Sequence, residues 1–485
     1  MTKVVVIGAG IAGLKAAIDL EAAGVETIIL EARDRLGGRL HTIQPFGNGF
    51  NADMGASWFH DCLVNPLLKK NVGSPDVTYY FNDGDQLWIG PSGVITKNDK
   101  VLAVQEEMVT FMNDYYQDPS KSDMSLRNFA HLYLEHTRGL LTDKQVRYSP
   151  QAFRVFELWL GQVWDTLSSK LLSEEGHVGR NAYLTSGYKS VFEKELEEYP
   201  GWREKIKLNT VVSKIAHNDK IQKVNVITTG GSSYECDYTV VTIPLGVLQL
   251  SPPEKGAVQW DPPLPSSFSR NLEKTTFAAL GKIFVEFEEV FWPKDHDTFI
   301  FLGEPDNEMT QAFESRSSFK APFQENDYRL TKDPKKWEYP LYCVNLDRAS
   351  EKPVLVLLTQ NPLTAWIEED PTSRAWPVIQ PMMESLAKLT GKACPSSPKA
   401  LVTSQWTQDP FARGSYMGCA VGDEMTEAIQ AFIDPKEIFG GSNRVRFAGE
   451  HTVFEGSGCA HGAWNSGARE AKKIVELING KASKL

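Results

Sequence analysis

The chain has 485 residues, 41% hydrophobic and 11% aromatic, enough for a large core and roughly two to four domains. Its 62 acidic residues outnumber 51 basic ones for a net charge of −11, which disfavours nucleic acid or anionic lipid as partners and tolerates cationic ligands. The six cysteines (Cys62, Cys236, Cys343, Cys394, Cys419, Cys459) are scattered without CxxC or metal-ligand spacing, so reduced thiols and no metal site are expected.

The N-terminus runs directly into a predicted strand, Val4 to Ile7, with no cationic or apolar leader, so secretion by a signal peptide is not expected. Gly8, Gly10 and Gly13 follow at the spacing where a strand turns tightly into a helix. Gly8 permits the bend, Gly10 lets the backbone approach a pyrophosphate, and Gly13 lets the helix pack on the strand, with the helix N-terminus attracting the anion. A second strand, Glu26 to Leu30, delivers Glu31 at the position where an acid accepts both hydroxyls of an adenosine ribose. EARDRLGGR then sets Arg33, Arg35 and Arg39 around Gly37 and Gly38, a second phosphate-facing turn with cationic forks. The expected ligand is a dinucleotide.

Further along, Phe50 to Leu67 reads as a loop in which Gly55, Ala56 and Ser57 allow close backbone approach, followed by the polar pair His60 and Asp61. Tyr79 to Ile89 alternates like a hairpin. Ser125 is placed to cap a helix carrying Phe129, Leu132, Tyr133 and His136 on one face, a second helix starts near Thr142, and the apolar run Phe153 to Leu167 suggests a third. Strands are expected at Lys223 to Thr228, within Cys236 to Leu250, as a pair near Phe277 to Phe291, at Val354 to Thr359 and at Leu401 to Thr407, with a helix over Arg374 to Leu389. Alternation in AALGKIFVEF puts Lys282 on one face with Phe284 and Glu286; a lysine in so apolar a strand is ordinarily an edge charge or a snorkelling stem. Arg444 to Ala471 reads as a strand into Gly449 and Glu450, a glycine-rich loop, and a helix starting near Cys459. No repeat, low-complexity tract or apolar stretch near the roughly eighteen residues of a membrane helix appears. The chain ends in Ser483, Lys484 and Leu485, a tripeptide that import receptors read as a peroxisomal address, so a peroxisomal matrix location and an import receptor as partner are expected.

Four motifs stand in order: GAGIAG with EARDRLGGR, MGASWFH, VVTIPLGVL, and WTQDPFARGSY with FAGEHT. The series resembles the flavin amine oxidase family, and through ASWFHD, ELWLGQVW, GHVGRNAY and FAALGKIFVEFEE it is most similar to the fungal polyamine oxidases of the yeast spermine oxidase type. The resemblance implies a mixed α/β fold: a Rossmann-like FAD-binding domain of the amine oxidase and glutathione reductase type from residues 1–75, 200–275 and 400–485, and a discontinuous substrate-binding domain from 76–199 and 276–399. It assigns Gly8, Gly10, Ala12, Gly13, Glu31, Arg33, Gly38, Arg39, Gly55, Ala56, Ser57, Trp58, Val212, Trp406, Glu450 and Ala460 to FAD, with the backbone near Ala460 aimed at the flavin ring. His60, Asp83 and Asn181 align with polar substrate contacts, Trp159 and Tyr416 with aromatics beside the flavin, and Cys459 with the second tyrosine of the monoamine oxidase cage. Lys282 aligns with the lysine near flavin N5, where a cation assists the reaction with O₂. Ser415 replaces the cysteine to which monoamine oxidases attach their flavin, so the FAD is expected to be non-covalent.

The expected reaction passes a hydride from the carbon beside a secondary amine of spermine, N-acetylspermine or spermidine to flavin N5, with hydrolysis to a shorter polyamine and an aminoaldehyde and reduction of O₂ to H₂O₂. Alternatives are a monoamine or L-amino-acid oxidase, a histone demethylase relative, and a non-catalytic flavin-binding scaffold. Whether free or acetylated polyamines are preferred stays open.

Overall fold

The computed structural model describes residues 2–174, 176, 178–321, 330, 332–435 and 437–482, and side chains to residue 480; the Ser483-Lys484-Leu485 signal lies outside them. A parallel five-stranded sheet runs in the order Ile206–Lys207, Glu26–Leu30, Lys3–Ile7, Tyr238–Val241, Val445–Phe447. Its strands are nearly unbroken Val and Ile runs because both faces are covered. The strand Lys3–Ile7 has the second strand on one side and Tyr238–Val241 on the other, so its carboxyl end is a switch point, where open α/β sheets form their ligand crevice.

Helices cover one face. Ile11–Ala22 and Ala460–Ala482 pack directly together, and a Cβ on Gly467 would come within 2.2 Å of the Ala12 carbonyl, so small residues at that crossing permit the contact. The helix that ends the described chain is thereby locked to the one that follows the first strand.

A seven-stranded mixed sheet follows the order Ala400–Thr403, Leu280–Glu286, Val354–Gln360, Leu341–Asn345, Thr298–Phe301, Gln86–Gly90, Gly93–Val94. Leu280–Glu286 is an interior strand, paired to Val354–Gln360 on one side and Ala400–Thr403 on the other. Lys282 is therefore not an edge charge, and it is buried.

The helices Leu126–His136 and Asp143–Phe153 form as the sequence implies, with Ser125 Oγ accepting from the Asn128 N–H and Thr142 Oγ1 from the Gln145 N–H. Elsewhere the structure departs from what the sequence implies. Tyr79–Tyr80 and Gln86–Gly90 belong to different sheets, so Tyr79 to Ile89 is not a hairpin. The Phe153 to Leu167 run breaks at Gly161, where φ is +64° and a Cβ would strike Leu280 N at 2.7 Å. The strand expected within Cys236 to Leu250 is Tyr238–Val241, after which the chain turns into the short helix Leu245–Leu248. The expected strand pair near Phe277 is the short strand Phe277–Ala278 and the long strand Leu280–Glu286, which lie in different sheets and pair with segments distant in sequence rather than with each other.

Candidate active site

A cleft with about 1550 Å³ of empty space, its open mouth included, runs along the carboxyl end of the parallel sheet to the loop Met54–Trp58 and Lys282. Its walls include Gly8, Gly10, Ala12, Glu31, Arg33, Gly38, Arg39, Gly55, Ala56, Ser57, Trp58, His60, Val212, Lys282, Trp406, Tyr416, Glu450, Cys459 and Ala460.

The two glycine turns meet. Gly10 and Gly37 form a bridge, and the Gly37 N–H donates to Ala9 O at 3.0 Å. Gly8 has φ +107°, and a Cβ on Gly13, which lies behind the cleft wall, would sit 2.1 Å from Gly8 O. These positions leave the first turn of Ile11–Ala22 without a side-chain cap, so its N–H groups are available to an anion. Glu31 is buried, held by the Ala9 N–H on Oε2 (2.7 Å) and the Arg33 N–H on Oε1 (2.9 Å). Arg33 pairs with Asp409 at 2.8 Å, a partner that the sequence reading did not name.

On the other side of the cleft Arg39 Nη1 donates to Glu450 Oε1 (2.9 Å) and to Ser415 O (2.5 Å). Burial pushes the Glu450 carboxyl up, but Arg39 and His451 outweigh it and hold it at about 2. A glycine turn at a helix N-terminus, a second glycine turn bridged to it, a buried acid for a ribose and a paired arginine fit an adenine dinucleotide with its pyrophosphate.

Lys282 sits at the junction. Its backbone is clamped by Ser404, whose Oγ accepts from Lys282 N and whose N–H donates to Lys282 O, both at 2.9 Å. Nζ donates to Asp53 O at 3.0 Å, to Gly55 O and to Ser57 Oγ, and lies 5.3 Å from the Trp58 ring centroid. Burial lowers its pKa to about 8, against the pull of Asp53. Burial raises Asp53 to about 6, opposed by Thr42, Lys282 and the Tyr188 N–H. Asp53 lies in the motif-bearing loop, yet an acid between apolar residues gave no signal of being buried beside a distant lysine.

Pairing of Trp58–Phe59 with Ala182–Leu184 brings His60 to Asn181, with Nδ1 to Oδ1 at 3.1 Å. Asn181 stands behind His60 and does not line the cleft. Pairing of Tyr416–Met417 with Phe277–Ala278, the short strand just before the one that carries Lys282, positions Tyr416, and its hydroxyl donates to Trp159 O at 2.5 Å. Trp159 lies outside the cleft, half exposed and edge-on to Phe156. Asp83 also lies away from the cleft, in a surface ion pair with Arg180. Cleft residues missed in the sequence include Thr242, Ile243 and Pro244 of VVTIPLGVL and Phe411 of the WTQDPFARGSY motif. Their signal was available, since both motifs were recognised as units without assigning their members.

The chain matches the family described as flavin containing amine oxidoreductase over residues 11–475. It belongs to that family. FAD is accordingly its cofactor, and its fold is the Rossmann-like FAD-binding fold joined to a substrate domain. It is 34% identical to a corticosteroid-binding protein of Candida albicans over 98% of this chain and 96% of that one. It is 28% identical to polyamine oxidase 4 of Oryza sativa subsp. japonica (98% and 90% covered) and 27% identical to polyamine oxidase 2 of Arabidopsis thaliana (97% and 87% covered).

Proposed function

We propose that this flavin amine oxidoreductase is a polyamine oxidase acting on spermine, N-acetylspermine or spermidine. The observation that carries the reading is the continuity of one cleft from the Gly8 turn and Glu31 to Lys282, His60, Tyr416 and Cys459. We assign residues 1–75, 200–275 and 400–485 to the FAD-binding domain and 76–199 and 276–399 to the substrate domain.

Glu31 would hold the ribose, the Gly8–Gly13 turn and Arg39 the pyrophosphate, and the Ala460 helix end the ring. Bound FAD supplies a two-electron acceptor for the carbon beside an amine nitrogen, with O₂ as final acceptor giving H₂O₂. That nitrogen must be uncharged, and the apolar wall of Trp58 and Tyr416 disfavours its ammonium form. His60, oriented by Asn181, holds a polar end of the substrate. Lys282 places a proton and a positive charge at the Ser57 loop. The product hydrolyses to a shorter amine and an aminoaldehyde.

FAD is held without a covalent bond: both hydrogen-bonding functions of the Ser415 hydroxyl are engaged by the Leu280 backbone, at 2.8 Å and 2.9 Å. Acid precipitation should release the yellow chromophore into the supernatant. Ser483-Lys484-Leu485 address the protein to the peroxisome, which fits an H₂O₂ producer; a fluorescent fusion ending in SKL should be punctate, and one with an added C-terminal residue diffuse.

Oxygen uptake with spermine, N-acetylspermine and spermidine tests the proposal. Uptake with benzylamine or leucine but none with these amines would reassign the chain to monoamine or amino-acid oxidation. The exposed apolar side chains Leu63, Val64 and Val178, beside His60, favour a second reading, binding of a flat apolar ligand like that named for the Candida relative. Competition between a corticosteroid and spermine would decide whether it shares the cleft.

A further inference from the structure

Cys459 of the cleft wall clusters with two residues that the catalytic reading leaves unused, Asp61 and His461. The ligand atoms of Asp61, Cys459 and His461 lie within 4.8 Å of one another. Cysteine spacing alone conceals the set, because Asp61 comes from the loop after Trp58–Phe59 while Cys459 and His461 flank the start of the helix Ala460–Ala482. Only the packing of that helix end against the Asp61 loop brings them together.

The separation of Asp61 and His461 is one that a shared ion accommodates. His461 Nε2 stands 3.3 Å from Asp61 Oδ2. A charge-assisted hydrogen bond prefers roughly 2.7–2.9 Å. An edge of a tetrahedron whose bonds are about 2.0–2.1 Å measures about 3.3 Å. The carboxylate is fixed from behind, with Oδ1 accepting the Val178 N–H at 2.7 Å, as an outer partner fixes a metal-bound carboxylate. Asp61 has φ +54°, a left-handed conformation uncommon outside glycine, held by the Val64 and Asn65 N–H groups donating to its carbonyl at 2.9 Å each. Space beside the imidazole is kept by Gly456, where φ is +71° and a Cβ would meet His461 Nε2 at 2.4 Å. Asp61 and His461 are buried, and Cys459 lies on the cleft wall.

We propose that Asp61, Cys459 and His461 form a binding site for Zn²⁺ or a similar borderline-soft divalent ion. A nitrogen, a sulfur and an oxygen ligand suit zinc and exclude magnesium or calcium, which take oxygen shells. Carboxylate and thiolate together neutralise the ion's two charges, and the thiol proton is released on binding. Three protein ligands leave a fourth position for water, the arrangement of open rather than closed zinc sites. On the reading of the cleft as a polyamine channel, an ion there blocks the approach of a cationic substrate, so zinc is an inhibitor.

Purified holoprotein stripped with EDTA and gel-filtered should take up one Zn²⁺ per chain by elemental analysis, in the absence of any amine. Asp61→Asn and His461→Gln should weaken uptake by more than the roughly 10–100-fold that outer-shell partners cost, with FAD content unchanged. Uptake that is not stoichiometric, or that both variants retain, would overturn the site. The unmodified chain gives a test free of folding effects: Zn²⁺ should protect Cys459, but not Cys62, from iodoacetamide as read by peptide mass spectrometry. Equal alkylation with and without zinc would overturn it too. In turnover, zinc should raise the KM for spermine reversibly; an unchanged KM in zinc-loaded enzyme would overturn the inhibitory role. Because uptake and protection need no amine oxidation, failure of the polyamine reading leaves both results interpretable.

Discussion

At the Gly8–Glu31 end of the cleft, geometry is held by backbone: glycine turns bridged at Gly10 and Gly37, a helix N-terminus, and a carboxylate gripped by the N–H groups of Ala9 and Arg33. At the Lys282 end it is held by side chains that meet only through strand pairing, Lys282 with the Asp53–Ser57 loop, His60 with Asn181, Tyr416 with Trp159. These contacts at the first end join residues within forty positions of each other. Partners more than a hundred positions apart build the second. A nucleotide-binding end made of backbone tolerates little change at glycine, whereas the amine end can be retuned one side chain at a time. Substitutions at the two ends should therefore fail differently.

The largest effect is expected from Gly13→Val, whose Cβ would collide at 2.1 Å with Gly8 O, a backbone atom that cannot yield without opening the turn. The cost should reach or pass the roughly 1–3 kcal/mol of overpacking, and the purified protein should lack flavin absorbance. A yellow, fully loaded variant would break the backbone account.

Lys282→Met should act in the opposite manner, leaving FAD bound while slowing its reoxidation by O₂ about 10²–10³-fold in rapid mixing. With a pKa lowered to about 8, Lys282 is charged below that pH and loses its charge as pH rises through it, so the oxidation rate should fall there in the wild type and not in the variant. Stability runs the other way. Between about 8 and 10.5 the unfolded chain binds a proton that the folded lysine does not, so folding stability gained from this group rises with pH across that window. Thermal melts of wild type and Lys282→Met should diverge there, the wild type gaining.

Glu31→Ala should raise the FAD dissociation constant about 10–100-fold, since it strands the Ala9 and Arg33 N–H groups as well as removing the ribose acceptor. Equilibrium dialysis reads this directly, and an unchanged constant would remove Glu31 from the site. A smaller loss belongs to Asn181→Ala, which removes one hydrogen-bond partner of the His60 ring: kcat/KM for spermine should drop about two- to tenfold with FAD affinity intact. The smallest effect is expected at Asp83, whose surface pair with Arg180 lies off the cleft. Asp83→Asn should keep KM near wild type, and a large rise would restore the substrate contact that the family likeness implies.

What could be read from the chain divides along the same line. GAGIAG and EARDRLGGR are legible because a positive φ at Gly8 and a close approach at Gly13 demand glycine locally. Helices at Leu126–His136 and Asp143–Phe153 were legible from their Ser125 and Thr142 caps. Lys282 was found through likeness to a family, but its burial was not, since alternation cannot distinguish an interior strand from an edge one. Asp53, Asp409 and the Asp61–His461 pair escaped because nothing local marks a residue whose partner is hundreds of positions away. The false hairpin at Tyr79 to Ile89 has the same origin, as two adjacent strands found partners in different sheets.

The central claim is that one cleft holds FAD against a polyamine. Mixing the purified yellow protein with spermine in the absence of oxygen, while following the flavin absorbance, tests it most directly. Rapid bleaching that reverses on admitting air is the result expected here; a flavin spectrum untouched by spermine, N-acetylspermine and spermidine alike would contradict it.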